Sequence, residues 1–162
     1  MPEKQPRASR ADNPRVPKDL RHSKCFAAAD ELAERCMRLV RGWPPLEKHS
    51  VGGQLARAAV SVPCNLAEST SRASAKERHR FVEIADGSLR EAGYLVGLAG
   101  RLGLLRPPEA AELTDLHARA TKLLAGQRAR ASARSLRQGR AQRRARRSRR
   151  ASPPDVTPAQ AA

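Results

Sequence analysis

Ten arginines crowd one stretch of the chain: Arg130, Arg134, Arg137, Arg140, Arg143, Arg144, Arg146, Arg147, Arg149 and Arg150. A guanidinium stays charged and grips phosphate oxygens through a planar fork, so the chemistry on offer is the binding of a polyanion. Arg130, Arg134, Arg137, Arg140, Arg144 and Arg147 are spaced 4, 3, 3, 4 and 3, which would lay a cationic stripe along a helix. Gly126, Gly139 and the repulsion between like charges at these spacings argue for disorder in water and for folding against a polyanion. No aromatic residue accompanies these arginines, so nothing there can stack a base for sequence readout. The reading is electrostatic binding of RNA or DNA, falling steeply with salt. An adaptor bundle that holds a protein partner is the alternative, and a solvated extension without a role is the blander one.

A second polar set sits beside apolar seams. Gln54, Arg57, Asn65 and Glu68 fall in one helical segment, Ser88 and Glu91 in the next. Arg57 and Glu68 are three helical turns apart and share a face. Glu91 interrupts a seam of Leu and Phe, and a buried carboxylate needs a donor. The expectation is that Arg57 pairs with Glu68 or Glu91, inside a bundle or between bundles. Asn65 or Gln54 would complete the hydrogen bonding. A role in fixing helix register and oligomer geometry is favoured over binding or catalysis.

Catalytic sets are missing. His22, His49, His79 and His117 are scattered, and none stands at metal-ligand spacing from a cysteine. There is no phosphate-binding glycine loop and no nucleophile elbow around Ser61 or Cys64. The expectation is a non-enzymatic protein with no metal and no cofactor. Cys25, Cys36 and Cys64 are an odd count without a pairing pattern, read as reduced, buried thiols of a cytoplasmic protein. Cys25, near a helix start, is the candidate for an exposed thiol of lowered pKa. No apolar run is long enough to span a membrane, and no signal peptide is visible.

The charge that prompts these readings is uneven. The 162 residues carry +16 overall. Residues 1–21 hold +3, residues 22–125 again +3, and residues 126–162 hold +10, from eleven arginines and one aspartate. Three units follow: a disordered basic head (1–21), a folded domain (22–125), and an Arg-rich tail (126–162) that is disordered or conditionally helical. Four aromatics and abundant Ala, Leu, Arg and Glu favour an all-α chain over a β-sandwich.

Apolar spacing supplies the elements. Phe26, Ala29, Ala33, Cys36, Val40 and Trp43 form one helical stripe, ended by Gly42 and Pro44-Pro45. Leu55, Ala58, Val62 and Leu66 form a second, on a helix from about Pro45 or Leu46 to Arg72. Pro63 inside it predicts a kink, with a break into two short helices as the alternative. Ser74 and Glu77 form a capping box for the third helix. One seam there reads Phe81, Ile84, Ser88, Glu91, Leu95, Leu98, Leu102 and Leu105. Its neighbour reads Val82, Ala85, Leu89, Ala92, Val96, Ala99 and Gly103. Gly93, Gly97, Gly100 and Gly103 would let helices approach closely. Leu113, Leu116, Ala120 and Leu123 mark a fourth helix after Pro107-Pro108, fading beyond Leu124. The fold predicted is an antiparallel up-down-up-down four-helix bundle with disordered basic extensions at both ends.

Two segments carry a family likeness. Gln54-Leu-Ala-Arg-Ala-Ala-Val-Ser-Val-Pro-Cys-Asn-Leu-Ala-Glu68 resembles Q-L-R-R-A-A-x-S-I-P-x-N-I-A-E-G. Phe81-Val-Glu-Ile-Ala-Asp-Gly-Ser-Leu-Arg-Glu91 is similar to F-L-x-I-A-x-G-S-L-x-E. Both are signatures of the 23S rRNA-intervening-sequence proteins, also called four helix bundle proteins. The likeness covers roughly residues 24–125 and includes the interior proline. Ala56 stands where the pattern has Arg, Ser69 where it has Gly, and Arg78-His79 where an aromatic is usual. The resemblance implies a left-handed antiparallel bundle assembled as a homopentamer. It also implies kinship with retroelement accessory bundles that bind a reverse transcriptase and nucleic acid.

Overall fold

The computed structural model describes Leu20 and residues 22–151, the side chains at 145, 146 and 148–151 excepted. Apart from Leu20, the expected disordered head and the tail from residue 152 lie outside the described residues.

Four principal helices make up the described chain: α1 (Lys24–Val40), α2 (Gly53–Ser71), α3 (Ala75–Arg101) and α4 (Pro107–Ala151). A helical turn at Pro45–Glu47 and a π-helical stretch at Lys48–Gly52 run straight into α2. Each principal helix packs against two others, in the cycle α1, α2, α3, α4 and back to α1.

Local chemistry explains the ends. Ser23 caps α1 by accepting the Phe26 N–H at 3.3 Å. Ser74 caps α3 by accepting the Glu77 N–H at 3.1 Å, while its hydroxyl donates to the Glu77 carboxylate. Gly103 closes α3 in the left-handed region, at φ 69°. The Leu104 N–H then bonds the Ala99 carbonyl and the Gly103 N–H bonds that of Gly100, the six-to-one closure that a residue without Cβ allows. Glu109 reaches back to the Arg106 N–H at 2.9 Å to start α4.

The core follows the expected stripes in α1 and α2, widened by Cys25, Ala28, Leu32 and Ala59. Pro63 is buried within an unbroken α2, so the two-helix alternative does not occur. In α3 the second seam is the buried one: Val82, Ala85, Leu89, Ala92, Val96 and Ala99. From the first seam only Leu95 and Leu105 are buried, while Ile84, Glu91 and Leu102 are exposed. The glycines also sort differently from expectation. Of Gly93, Gly97, Gly100 and Gly103, only Gly93 makes room for a neighbouring helix, receiving the His117 ring, whose Nε2 meets the Leu89 carbonyl oxygen at 2.9 Å. Gly100 and Gly103 face open space, and a Cβ at Gly97 would meet only the Arg101 side chain of its own helix.

The largest departure is α4. Its stripe passes from Leu113, Leu116 and Ala120 to Leu124, and the helix continues to Ala151 without a break at Gly126 or Gly139. Contacts beyond Leu124 explain why. Ala131 packs against the core. Arg128 bonds Asp86 of α3 at 2.6 Å. The Gln138 side-chain oxygen accepts the Ala75 N–H, the first of α3, at 2.7 Å. Tertiary contacts at 128, 131 and 138 hold what propensity alone would not.

Adjacent glycines at the entry to α2 separate packing from propensity. A Cβ at Gly52 would lie 2.8 Å from Val40 and 3.1 Å from both Trp43 and the Glu47 carbonyl oxygen, whereas at Gly53 it meets only ordinary contacts. Gly52→Ala should cost roughly 1–3 kcal/mol by overpacking. Gly53→Ala should stabilise by up to about 1 kcal/mol through helix propensity. Chemical denaturation of both variants checks the opposite signs.

Candidate nucleic-acid interface

Beyond Arg128 the fourth helix changes character. Arg130, Arg134, Arg137, Arg140, Arg143, Arg144 and Arg147 are all exposed. Arg146, Arg149 and Arg150 lie on the same helix, with side chains outside the described residues. Between residues 126 and 151 there are eleven arginines and no acidic residue. Among the described residues the bundle pairs Arg35 with Glu112, Arg38 with Glu34, Arg72 with Glu68, Arg90 with Asp86, Arg106 with Glu109 and Arg119 with Glu31, and leaves Arg41, Arg57, Arg78, Arg80 and Arg101 without a carboxylate. Among the described side chains of the Arg-rich stretch only Arg128 has one. The exposed row thus presents free donors along a helical axis, and a helix of positive charge suits contact with a phosphate backbone.

Two local charges illustrate how differently the bundle treats its ions. The Arg106 guanidinium beside Glu109 holds that carboxyl below its usual range. Burial pushes the Cys25 thiol up to about 11, with the charge of Arg130 opposing the rise. Cys25 is therefore the buried thiol expected, and the alternative of an exposed, acidified thiol at a helix start does not hold: the helix turns it into the core. Cys36 is buried too and pushed up to about 12. Cys64, read as buried, is exposed, because α2 presents it on the face opposite Leu55 and Val62. All three are free thiols.

The polar set on α2 and α3 is only partly gathered. Asn65 donates to the Ser61 carbonyl at 2.8 Å and to its hydroxyl at 3.0 Å, and Ser61 in turn bonds Ser88 at 2.8 Å. Ser61 is thus the hub that sequence reasoning passed over. Glu68 pairs with Arg72, whose guanidinium stacks 4.7 Å over the Phe81 ring. The four-residue spacing of Glu68 and Arg72 was a usable signal for that pair. Arg57, Gln54 and Glu91 are exposed and make no hydrogen bond or ion pair among the described residues. The expected pairing of Arg57 with Glu68 or Glu91 is not made within the chain. The reason is geometric: Leu89, Ala92 and Val96 occupy the inward side of α3, which turns Glu91 out to water. Among the described residues no group of three or more His, Cys, Asp or Glu is placed to hold a metal ion. No described helix is long and apolar enough to cross a membrane.

The Gln138 contact decides whether the basic helix is an attached strut or a loose arm. Gln138→Ala leaves the Ala75 N–H without its acceptor, at a cost of about 1 kcal/mol. Amide hydrogen exchange should speed up over residues 128–140 and stay unchanged at Leu32 and Leu55. Unaltered protection of the 128–140 segment would refute the strut.

Comparison with known proteins now bears on this arrangement. No curated protein matches the chain. Residues 21–126 match the family model described as 23S rRNA-intervening sequence protein, which spans more than half of the chain. The match ends just before the arginine run of α4, so the bundle and not the basic helix carries the family identity. The chain belongs to the 23S rRNA-intervening sequence protein family.

Proposed function

We propose that this protein is a non-enzymatic, oligomeric bundle that binds nucleic acid, RNA before DNA, through the arginine helix of α4. The observation that carries the reading is the run of eleven arginines without an acidic residue on one helix that outlasts the bundle. Helical order separates successive guanidinium groups at fixed intervals, and phosphates along a strand are likewise regularly placed. Contact is to the backbone, since no aromatic is present to read bases. The setting is cytoplasmic, where RNA is abundant and thiols stay reduced.

Assembly into a homopentamer, as the family resemblance implies, would bring several such helices to one strand and raise avidity. The flank shared by α2 and α3 is the proposed contact between copies. It exposes Val60 and Ile84 and carries the unpaired Arg57 and Glu91 beside the Ser61–Ser88 bond. Arg57 of one copy would meet Glu91 or Glu68 of the next. A protein partner seated on the same flank, making the chain an adaptor, is the second reading.

Two measurements test these proposals. Replacing Arg137, Arg140, Arg144 and Arg147 with Gln should weaken binding to a single-stranded RNA. It should also lower the slope of log affinity against log salt by about 0.7 for each phosphate no longer neutralised. An unchanged slope would refute the arginine helix as the contact. Light scattering on the full chain should give a multiple of the 17.7 kDa protomer mass. Arg57→Glu should reduce that mass, and a wild-type monomer would remove the oligomer proposal.

A further inference from the structure

The basic helix and the bundle meet at a cleft whose charges, among the described residues, are all of one sign. It has a volume of about 360 Å³ and lies between the end of α2, the first turns of α3 and the stretch 127–134 of α4. Arg78, Arg130 and Arg134 line it together with Ser69, Thr70 and Gln127, and among the described residues no carboxylate does. Arg130 and Arg134 make no hydrogen bond or ion pair among the described residues. Arg78 is held in place by the turn between α2 and α3: its Nη1 donates to the Arg72 carbonyl at 2.6 Å and to that of Ala73 at 2.9 Å. Both bonds use one nitrogen, so Nε and Nη2 retain their donors. A second cleft follows along the same two helices, lined by Lys76, Arg140 and Arg143 with Ser74, Ser135 and Gln138, again without a carboxylate among the described residues.

The contrast with two neighbouring arginines is informative. Arg72, six residues before Arg78, is paired with Glu68, and Arg128, beside Arg130, is paired with Asp86. Three cations drawn together in a concavity repel one another and focus a positive potential into it. An oxyanion with several acceptor oxygens removes that repulsion and takes up the free donors. The leading N–H groups of α3 are not the attraction. Gln138 occupies that of Ala75 and Ser74 that of Glu77. The guanidinium groups supply the charge of the site.

We infer that the Arg78–Arg130–Arg134 cleft is a phosphate seat, receiving a backbone phosphodiester of the RNA strand that runs along α4. It rests on the nucleic-acid reading above and adds to it a fixed point where the strand meets the bundle. Arg78 lies on α3, outside the arginine run, so its contribution separates the seat from the helix.

Fluorescence anisotropy on the full chain tests the seat, with a labelled single-stranded RNA lacking a 5′-phosphate, at several salt concentrations. Arg78→Gln should weaken binding about tenfold, the loss of one charge-assisted hydrogen bond, and lower the salt slope by about 0.7. Arg144→Gln with Arg147→Gln serves as the distal comparison. If the distal pair weakens binding and Arg78→Gln leaves affinity and slope unchanged, the seat is refuted and the helix reading stands. If neither weakens it, both fall. Because Arg78 also supports a turn, Arg130→Gln, which removes no hydrogen bond of the fold, is measured beside it. Should Arg78→Gln fail to fold, wild-type affinity and slope in Arg130→Gln refute the seat. RNA with a 5′-phosphate should bind no better than RNA without one. A preference for the phosphorylated end, lost in Arg78→Gln, would make the cleft a terminal-phosphate pocket and overturn the backbone assignment.

Discussion

Length mismatch governs this molecule. The fourth helix has 45 residues and its longest neighbour 27. At 1.5 Å per residue these are about 68 Å and 40 Å. A helix that starts level with the end of α3 and runs back along it must therefore overshoot. Its side-chain partners on α3 trace that course: His117 with Leu89, Arg128 with Asp86, Gln138 with Ala75. The first turn of α3 is used up at Gln138, and the remaining residues leave the bundle. Leu113 to Leu124 must bury apolar area; the part beyond Gln138 is free of that demand, and seven of its thirteen residues are arginine.

Much of the bundle was readable because a helix that buries one face repeats itself. The stripes Ala29, Ala33, Cys36, Val40 and Leu55, Ala58, Val62, Leu66 are buried as their spacing requires. Ser74 and the two proline pairs mark real boundaries. The third helix was harder, since two adjacent seams of similar hydrophobicity differ by only about 100° of rotation. Which one faces inward depends on where α2 and α4 stand, and that is a tertiary fact. Gly103 was ambiguous for a related reason. Small size suits both close packing and a positive φ, and only the backbone distinguishes them.

The candidate site divides along the same line. The arginines themselves were plain in the sequence, as was their stripe. Their helical state was not, because Gly126, Gly139 and like charges at four-residue spacing all argue locally against it. What offsets them is long-range: Gln138 reaching an N–H 63 residues earlier in the chain, and Ala131 packing on the core. Arg78 carried no signal of its own. Its part in a cleft comes only from the fold that brings α3 against Arg130 and Arg134. Glu91 shows the converse case, a residue whose pattern implied burial and whose helix turns it to solvent.

Pairing of charge then marks where one role ends and another begins. Up to Arg128, the cross-helix contacts of α4 include Arg119 with Glu31 and Arg128 with Asp86, so these guanidiniums serve to align helices. After Arg128 no described arginine has a carboxylate partner, and none is available in sequence before Asp155. Arginine pairs four apart, such as Arg130–Arg134 and Arg140–Arg144, each destabilise the helix by a few tenths of a kcal/mol. Packing offsets this as far as Gln138. Past that point only the propensities of Ala, Arg and Gln sustain thirteen residues, close to the length at which an isolated helix is marginal. Neutralising the guanidiniums would remove the opposing term and leave the propensities. Anion binding and helical order in this segment are therefore coupled in sign, each strengthening the other, and the bundle supplies the anchored end from which that order propagates.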